Sequence, residues 1–506
     1  MTDVAHDTDP VADPVETAAA EPGRTSTGRP VPYLLLAAVV LVAVPIRAAY
    51  GPIRDIDLYW HILVGQDILS GIPVAEAGRG WSFAPVPDTW ISTQWLAEIL
   101  FAKIEAWGGL DAFVWYRTVT TVVAVGVLAA VTLWRRPVRA GVWVFALAGL
   151  SLAITAEDRS QQLTFILAPL VGWWAERLWR EGRLPRWWLV LPLTVVWANY
   201  HGGWVILPLA LCLALLARLV DSGWRDPAVR RALALAAASM LAACVSPSGV
   251  DNALAARRFN ASTTLIIEWQ PVNLRDWTAV PLIGLLLILV VAWARGRVRP
   301  TRGELVLVLG LISFSVLAWR NLTPALLMLA PILTGTLARA LGEPDPVPAA
   351  SHPPRLLKTS AAIVGLGLVG SLVMAAGQNP VIDPGMPRTL IHEIASASAP
   401  QRVLNTYNVS GPLLWFGGHP PHVTVGIDGR SDRYGSDYAD RYENGLIQGR
   451  PGWQSLFDQL DPTCALVGSY EAIGPILVAQ RGWVEVDREG GFVLLRAPDA
   501  PGWPSA

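Results

Sequence analysis

The chain has 506 residues, 53% of them hydrophobic and 16% charged, with a mean hydropathy of +0.40. Soluble domains carry about 25% charged residues, so this composition excludes an ordinary soluble protein and indicates a membrane protein. The formal net charge is −1, with basic residues dispersed among loops, which gives no sign of a nucleic-acid partner, and three cysteines make no disulfide framework.

Residues 1–30 are acidic and rich in Pro, Ala and Thr, a composition that predicts a disordered tail. With no basic segment at its start, this tail does not read as a cleavable signal. Leu34 to Tyr50 is then an uncleaved membrane anchor. It leads directly into Arg54-Asp55-Ile56-Asp57-Leu58-Tyr59-Trp60-His61, which places two carboxylates at the membrane surface. Acidic residues there are costly unless solvated, paired or bound to a cation. Asp55 and Asp57 could share a divalent metal such as Mg or Mn, or one could take a proton from an attacking hydroxyl. A solvated loop that merely ends a helix is the simpler alternative.

From Asp57 to Leu69 the residues Leu58, Ile62, Gly65 and Leu69 share one helical face, as in a helix lying in the interface. Gly71-Ile72-Pro73 stops it. A second short helix is expected from Ser92 or Thr93 to about Ile104, with Gln94 and Glu98 on one face. Further apolar runs follow at about 112–133, 142–156, 163–179, 187–200, 204–219, 232–245, 279–293, 305–319, 325–341 and 360–376, about eleven spans with the first. With the N-terminus inside, the cytoplasmic loops contain Arg135-Arg136-Arg139, Arg177 to Arg186, Arg225 to Arg231, Arg295 to Arg302 and Arg339 to Lys358, each basic as the positive-inside rule requires.

That orientation collects the unusual polar residues on the outer face. Glu157-Asp158-Arg159 is a second acidic cluster or a solvated turn, and His201 follows a helix end before Gly202-Gly203. The loop 246–278 carries Arg257-Arg258, as lipid anchor or substrate ligand, and Glu268-Trp269. Arg320 joins two apolar spans with almost no loop. An arginine at such depth needs an anion, whether Glu157, Asp158 or a ligand phosphate.

From Ala395 the composition turns soluble, and strands and helices alternate to a hairpin at Gly490-Gly491, which predicts an α/β domain. Ile427-Asp428-Gly429-Arg430-Ser431-Asp432 suits either a ligand-facing loop or an internal salt-bridged turn. The expected organisation is a cytoplasmic tail at 1–30, a transmembrane domain at 31–377 with an outer loop at 51–111, and an extracytoplasmic domain at 378–506.

The pattern Asp55 to His61, Gly65 to Ile68 and Trp95 to Glu98 resembles a bacterial branch of the GT-C superfamily of multi-pass membrane glycosyltransferases, and the segment from Asp428 to Tyr434 is similar to one in that branch's outer domain. The resemblance implies a mostly α, polytopic plasma-membrane protein with a small extracytoplasmic α/β domain. It further implies transfer of a sugar from a polyprenyl-phosphate donor to a cell-envelope glycan, lipid or protein acceptor at the outer face. Asp57, Asp55 and Glu98 are then the catalytic candidates, with Asp55 and Asp57 as possible metal ligands. Arg320, Arg257, Arg258, His61, His201, Glu157, Asp158, Glu268, Asp428 and Arg430 are candidates for substrate binding. A non-catalytic scaffold and a transporter are the rival readings; the second lacks buried mid-span ionisable residues and matching halves.

Overall fold

The computed structural model describes residues 31–53, 55–134, 136–254, 266–295, 299–345, 354–377, 382–418 and 420–503. Arg257, Arg258 and the acidic tail lie outside the described residues. The first helix, α1 (Val31–Ala49), leads into two loop helices, α2 (Asp57–Leu69) and α3 (Trp95–Gly108). The bundle then runs through α4 (Ala112–Leu133), α5 (Val138–Thr155), α6 (Gln162–Glu181), α7 (Trp187–Tyr200), α8 (Ile206–Ser222) and α9 (Pro227–Ala243). After a single turn, α10 (Val250–Ala253), it continues with α11 (Val280–Ala294), α12 (Arg302–Leu317), α13 (Leu322–Leu341) and α14 (Pro354–Ala376).

Each of the eleven apolar runs is therefore helical, and the protein is a polytopic membrane protein. Six stretches, in α1, α4, α5, α8, α11 and α13 with their flanking turns, are long and apolar enough to cross a bilayer. Others fall short for identifiable reasons. The 14 residues of α7 span roughly 21 Å against a hydrocarbon core of about 30 Å, and α6 carries Glu176, Arg177, Arg180 and Glu181 in its last turns. The stretch containing α13 is 89% buried within the protein, whereas those of α1 and α11 are 33% buried. The most enclosed helix is thus the bundle's axis, and the outer two give most of their surface to lipid.

Beyond the bundle lies a five-stranded sheet in the order β2-β1-β3-β5-β4. Strands β1 (Gln401–Asn405), β2 (Val423–Val425) and β3 (Cys464–Gly468) are parallel; β4 (Val484–Glu489) and β5 (Phe492–Arg496) form the antiparallel hairpin at one edge. Its helices are α15 (Arg388–Ala395), α16 (Ser410–Phe416), α17 (Ser431–Asp440), α18 (Trp453–Leu460) and α19 (Ile473–Arg481). Gly490 and Gly491 take the positive φ values, 57° and 84°, that the hairpin turn requires.

This sheet is stitched to the loop between α1 and α4. The Phe83 N–H donates to Val425 O (3.1 Å) and the Val425 N–H to Trp81 O (3.0 Å), which extends the β2 edge with loop residues. Arg433 meets Asp88 at 3.0 Å, and the Trp90 indole donates to Asp432 at 2.8 Å. The consequence for α2 departs from the expected interfacial helix. Leu58 through Gly65 are all buried, because the sheet domain covers one side of α2 and α3 the other. Of the face given by amphipathic spacing, Leu58, Ile62 and Gly65 turn to α3, and Leu69 is exposed.

Candidate active site

The end of α2 that meets the bundle is built around Asp57. The Asp55 carboxylate accepts the Asp57 N–H (3.1 Å), one of the amides left without a helical partner at a helix start. The Trp60 indole, one turn on, donates to Asp57 Oδ1 at 3.0 Å, and Arg159 Nη2 donates to Oδ2 at 3.2 Å. Arg159 is the hub. Its Nε lies 2.9 Å from Asp55, it pairs closely with Glu268, and Glu157 stands 3.9 Å away. The Asp55 side chain is 0% exposed and that of Asp57 is 25% exposed, so only the second carboxylate is open to a reactant. Burial pushes the Asp55 carboxyl well above the usual range; Arg159 opposes the shift, and Asp57 and Glu157 add to it. Burial works against the Arg159 charge, but Asp55, Glu268, Asp57 and Glu157 outweigh it and hold the guanidinium protonated.

That arrangement bears on the metal expected at Asp55 and Asp57. The guanidinium occupies the place between the two carboxylates where a divalent ion would bridge them. Among the described residues no three His, Cys, Asp or Glu side chains come together in a metal-binding group. Arg159 thus engages both aspartates, and of their carboxylate oxygens Asp55 Oδ2 alone is left buried without a hydrogen-bond partner among the described residues.

Asp57 opens onto a cavity of about 520 Å³ between loop, bundle and sheet domain. The loop contributes Asp57, Trp60, His61, Trp90 and Gln94. The bundle contributes Arg159, Thr164, His201, Trp204, Glu268, Trp269 and Arg320, and the sheet domain Tyr407, Asn408, Gly429, Arg430 and Asp432. Gly429 sits so close that a Cβ there would lie 2.1 Å from Trp60 Nε1 and 2.6 Å from Asp57 Oδ1. Only glycine lets the sheet domain approach the catalytic candidate at this point.

Arg320 lies over the Trp269 ring, 4.5 Å from its centroid, and among the described residues has no carboxylate within ion-pair distance. The expected pairing with Glu157 or Asp158 is not made, because both are engaged elsewhere. Asp158 is buried against Arg117 at 2.7 Å, away from the cavity, and burial ahead of the opposing Arg117 charge pushes its carboxyl up to about 7. Glu157 turns to Arg159. Glu98 is fully buried and reaches the cavity only through His61, whose Nδ1 it meets at 3.1 Å. It orients an imidazole that Trp60 also covers, ring centroids 3.7 Å apart, and stands behind the reacting space. Asp428 and Arg430 form the internal turn: Arg430 Nη2 and Nε bind Asp428 at 2.6 and 3.0 Å, Nη1 donates to Gly78 O, and both residues are buried. Their charges hold the sheet domain on the loop, and Asp428 does not line the cavity.

Arg159 was legible in Glu157-Asp158-Arg159 but was hidden by reading that triplet as acidic. Trp90 and Tyr407 carried no local signal, since they join the site only through docking of the sheet domain, whereas Asp432 lay in the charged segment after Ile427.

The bundle, the loop of two helices and the distal α/β domain together make a fold that is shared with a solved structure. The chain is similar to the crystal structure of ArnT from Cupriavidus metallidurans in the apo state, with a TM-score of 0.51 and 16% identity over 92% of this chain and 97% of that one. The same protein bound to undecaprenyl phosphate gives a TM-score of 0.48 and 15% identity over 95% and 100% of the two chains. Arabinofuranosyltransferase AftD from Mycobacteria gives 0.44 and 15% identity over 92% of this chain and 40% of that one. No protein-family model and no characterised protein matches the sequence.

Proposed function

We propose that the protein is a membrane glycosyltransferase that moves a sugar from a polyprenyl-phosphate carrier to a cell-envelope acceptor at the extracytoplasmic face. The observation that carries the reading is a partly exposed carboxylate, Asp57, sharing one cavity with a guanidinium, Arg320, that has no carboxylate within ion-pair distance among the described residues. The acceptor hydroxyl attacks the anomeric carbon, its proton passes to Asp57, and the bond from that carbon to the phosphate oxygen breaks. The polyprenyl phosphate leaves with the bonding electrons, and Arg320 offsets the charge that gathers on it. The Trp60 and Arg159 hydrogen bonds aim the carboxylate and leave lone pairs on both oxygens. The basic loops at the opposite end of the bundle support an outward-facing site, by the positive-inside rule.

Asp57→Asn tests the proposal in cells carrying only the variant. Transfer to envelope glycans is expected to fall by about 10²–10⁴, with expression and thermal stability unchanged. A stable variant with wild-type glycans removes Asp57 from catalysis and favours the scaffold reading.

A further inference from the structure

His201 lies in the short link between α7 and α8. Its Nδ1 accepts the Gly203 backbone N–H at 3.0 Å and lies 2.7 Å from Thr164 Oγ1. Thr164 Oγ1 in turn accepts the Trp197 indole N–H at 3.0 Å. A backbone N–H can only donate, so Nδ1 must present its lone pair, and the Thr164 hydroxyl then donates to it as well. The ring proton is left on Nε2. The close approach depends on glycine, since a Cβ at residue 203 would stand 2.3 Å from Thr164 Oγ1 and 2.7 Å from His201 Nδ1. Among the described residues Nε2–H has no partner, and His201 lines the cavity with Arg320.

Burial, followed by the charges of Arg320, Arg159 and His61, holds the imidazole down at about 3. The ring is neutral at any pH near neutrality, and its one free valence is a donor. It can act neither as a base through Nε2 nor as an imidazolium. Arg320 is likewise donor-only. A hydroxyl needs acceptors as well as donors, whereas a phosphate oxygen only accepts.

We propose that His201 Nε2–H and the Arg320 guanidinium together bind the oxygens of a phosphate group, His201 as a neutral, tautomer-locked donor. The inference rests on the transferase reading above and adds the phosphate subsite and its insensitivity to pH.

The test uses the full chain in nanodiscs, ring-¹⁵N-labelled at histidine, with the His201 signals identified by their loss in His201→Gln. The expected spectrum shows an Nε2–H tautomer unchanged from about pH 5 to 8. A polyprenyl phosphate added to the bilayer shifts that resonance, and inorganic phosphate at the same concentration does not. His201→Ala is expected to weaken polyprenyl-phosphate binding about tenfold, the loss of a hydrogen bond to a charged group. His201→Gln, which retains an N–H donor at that reach, recovers most of it. Thr164→Val provides a second variant: the Gly203 N–H still requires the Nδ1 lone pair, so the Nε2–H tautomer is expected to persist, and a proton on Nδ1 there would count against the lock.

A ring titrating in the usual histidine range, or carrying its proton on Nδ1, overturns the proposal. So does unchanged affinity in His201→Ala, an outcome that leaves glycosyl transfer standing. A shift produced by inorganic phosphate alone assigns the pair to free phosphate and overturns a lipid-carried ligand. If the wild-type protein binds no polyprenyl phosphate, both this inference and the donor reading fail.

Discussion

At the end of the bundle away from the cavity, Arg136 sits between Glu176 and Asp345, and Arg180 stands 3.4 and 3.7 Å from the same two carboxylates. Arg339 meets Glu304 at 2.6 Å, and the gap beside that pair has a volume of about 0 Å³. At the cavity end, Arg159 gathers four carboxylates, yet Arg320 has no carboxylate partner among the described residues and some 520 Å³ stands open beside it. Both ends are densely charged. The difference is that one end closes its charges on each other, while the other leaves one cation and one half-exposed carboxylate facing shared space. A buried pair contributes little net stability and much penalty if broken; a cation left facing a cavity has its compensation supplied by a ligand. Charge density therefore does not mark the site here, but unfilled valence beside a void does.

The strongest way to break this comparison is to remove the central arginine at each end. Arg159→Gln leaves Asp55, Asp57, Glu157 and Glu268 without their common cation. It is expected to cost about 3–5 kcal/mol and to abolish transfer, read by thermal unfolding and by envelope glycan analysis. Arg136→Gln is expected to cost similar stability and to leave polyprenyl-phosphate binding intact. Equal loss of binding in both variants would mean that the two ends are not functionally distinct.

Next in size is Gly429→Ala, which forces a methyl against Trp60 and Asp57. Overpacking of this kind costs about 1–3 kcal/mol, and the displacement of Asp57 is expected to reduce transfer more than the stability loss explains. Measuring transfer at a temperature where the variant is fully folded separates the two effects.

A smaller effect comes from the sheet domain's interior. Glu443 accepts the Tyr407 N–H at 3.0 Å and Glu471 the Gly468 N–H at 2.7 Å, and burial pushes both carboxyls up to about 7. Free glutamate titrates near roughly 4.3, so the folded state holds more protons than the unfolded state between these values. Stability then falls as pH rises through that window and levels off above about 7. Glu443→Gln combined with Glu471→Gln is expected to flatten the dependence of Tm on pH between about 4.5 and 7. The smallest expected effect is that of EDTA: with Arg159 bridging Asp55 and Asp57, transfer should survive chelation. Loss on chelation and recovery with Mg or Mn would restore the metal reading of those aspartates.

Much of the fold was legible because its signals are local. Apolar runs became helices, Cys464 to Gly468 and Phe492 to Arg496 became strands, and the Gly490-Gly491 turn closed the hairpin. Helices α15 and α18 escaped notice because, at eight residues each, they offer only about two turns over which to count a period, although both are strongly amphipathic. At the candidate site Asp57, His61, His201, Glu268 and Arg320 do share a cavity. Glu98, Asp158 and Asp428 lie behind it, each held by a basic partner from its own neighbourhood: His61, Arg117 and Arg430.

The sequence by itself determined which segments are helices in a membrane, since about 20 consecutive apolar residues have few other stable forms. Through the alternation of spans it also determined which loops share an end of the bundle. Only the tertiary structure decided which acid each arginine serves, that Arg320 has none among the described residues, and that His201 Nδ1 accepts the Gly203 N–H. Those outcomes turn on contacts of about 3 Å between residues tens to hundreds of positions apart, such as Asp55 with Arg159 and Gly429 with Trp60. Residue type and spacing along the chain do not carry that information; the docking of the sheet domain and the packing of α6 against its neighbours do.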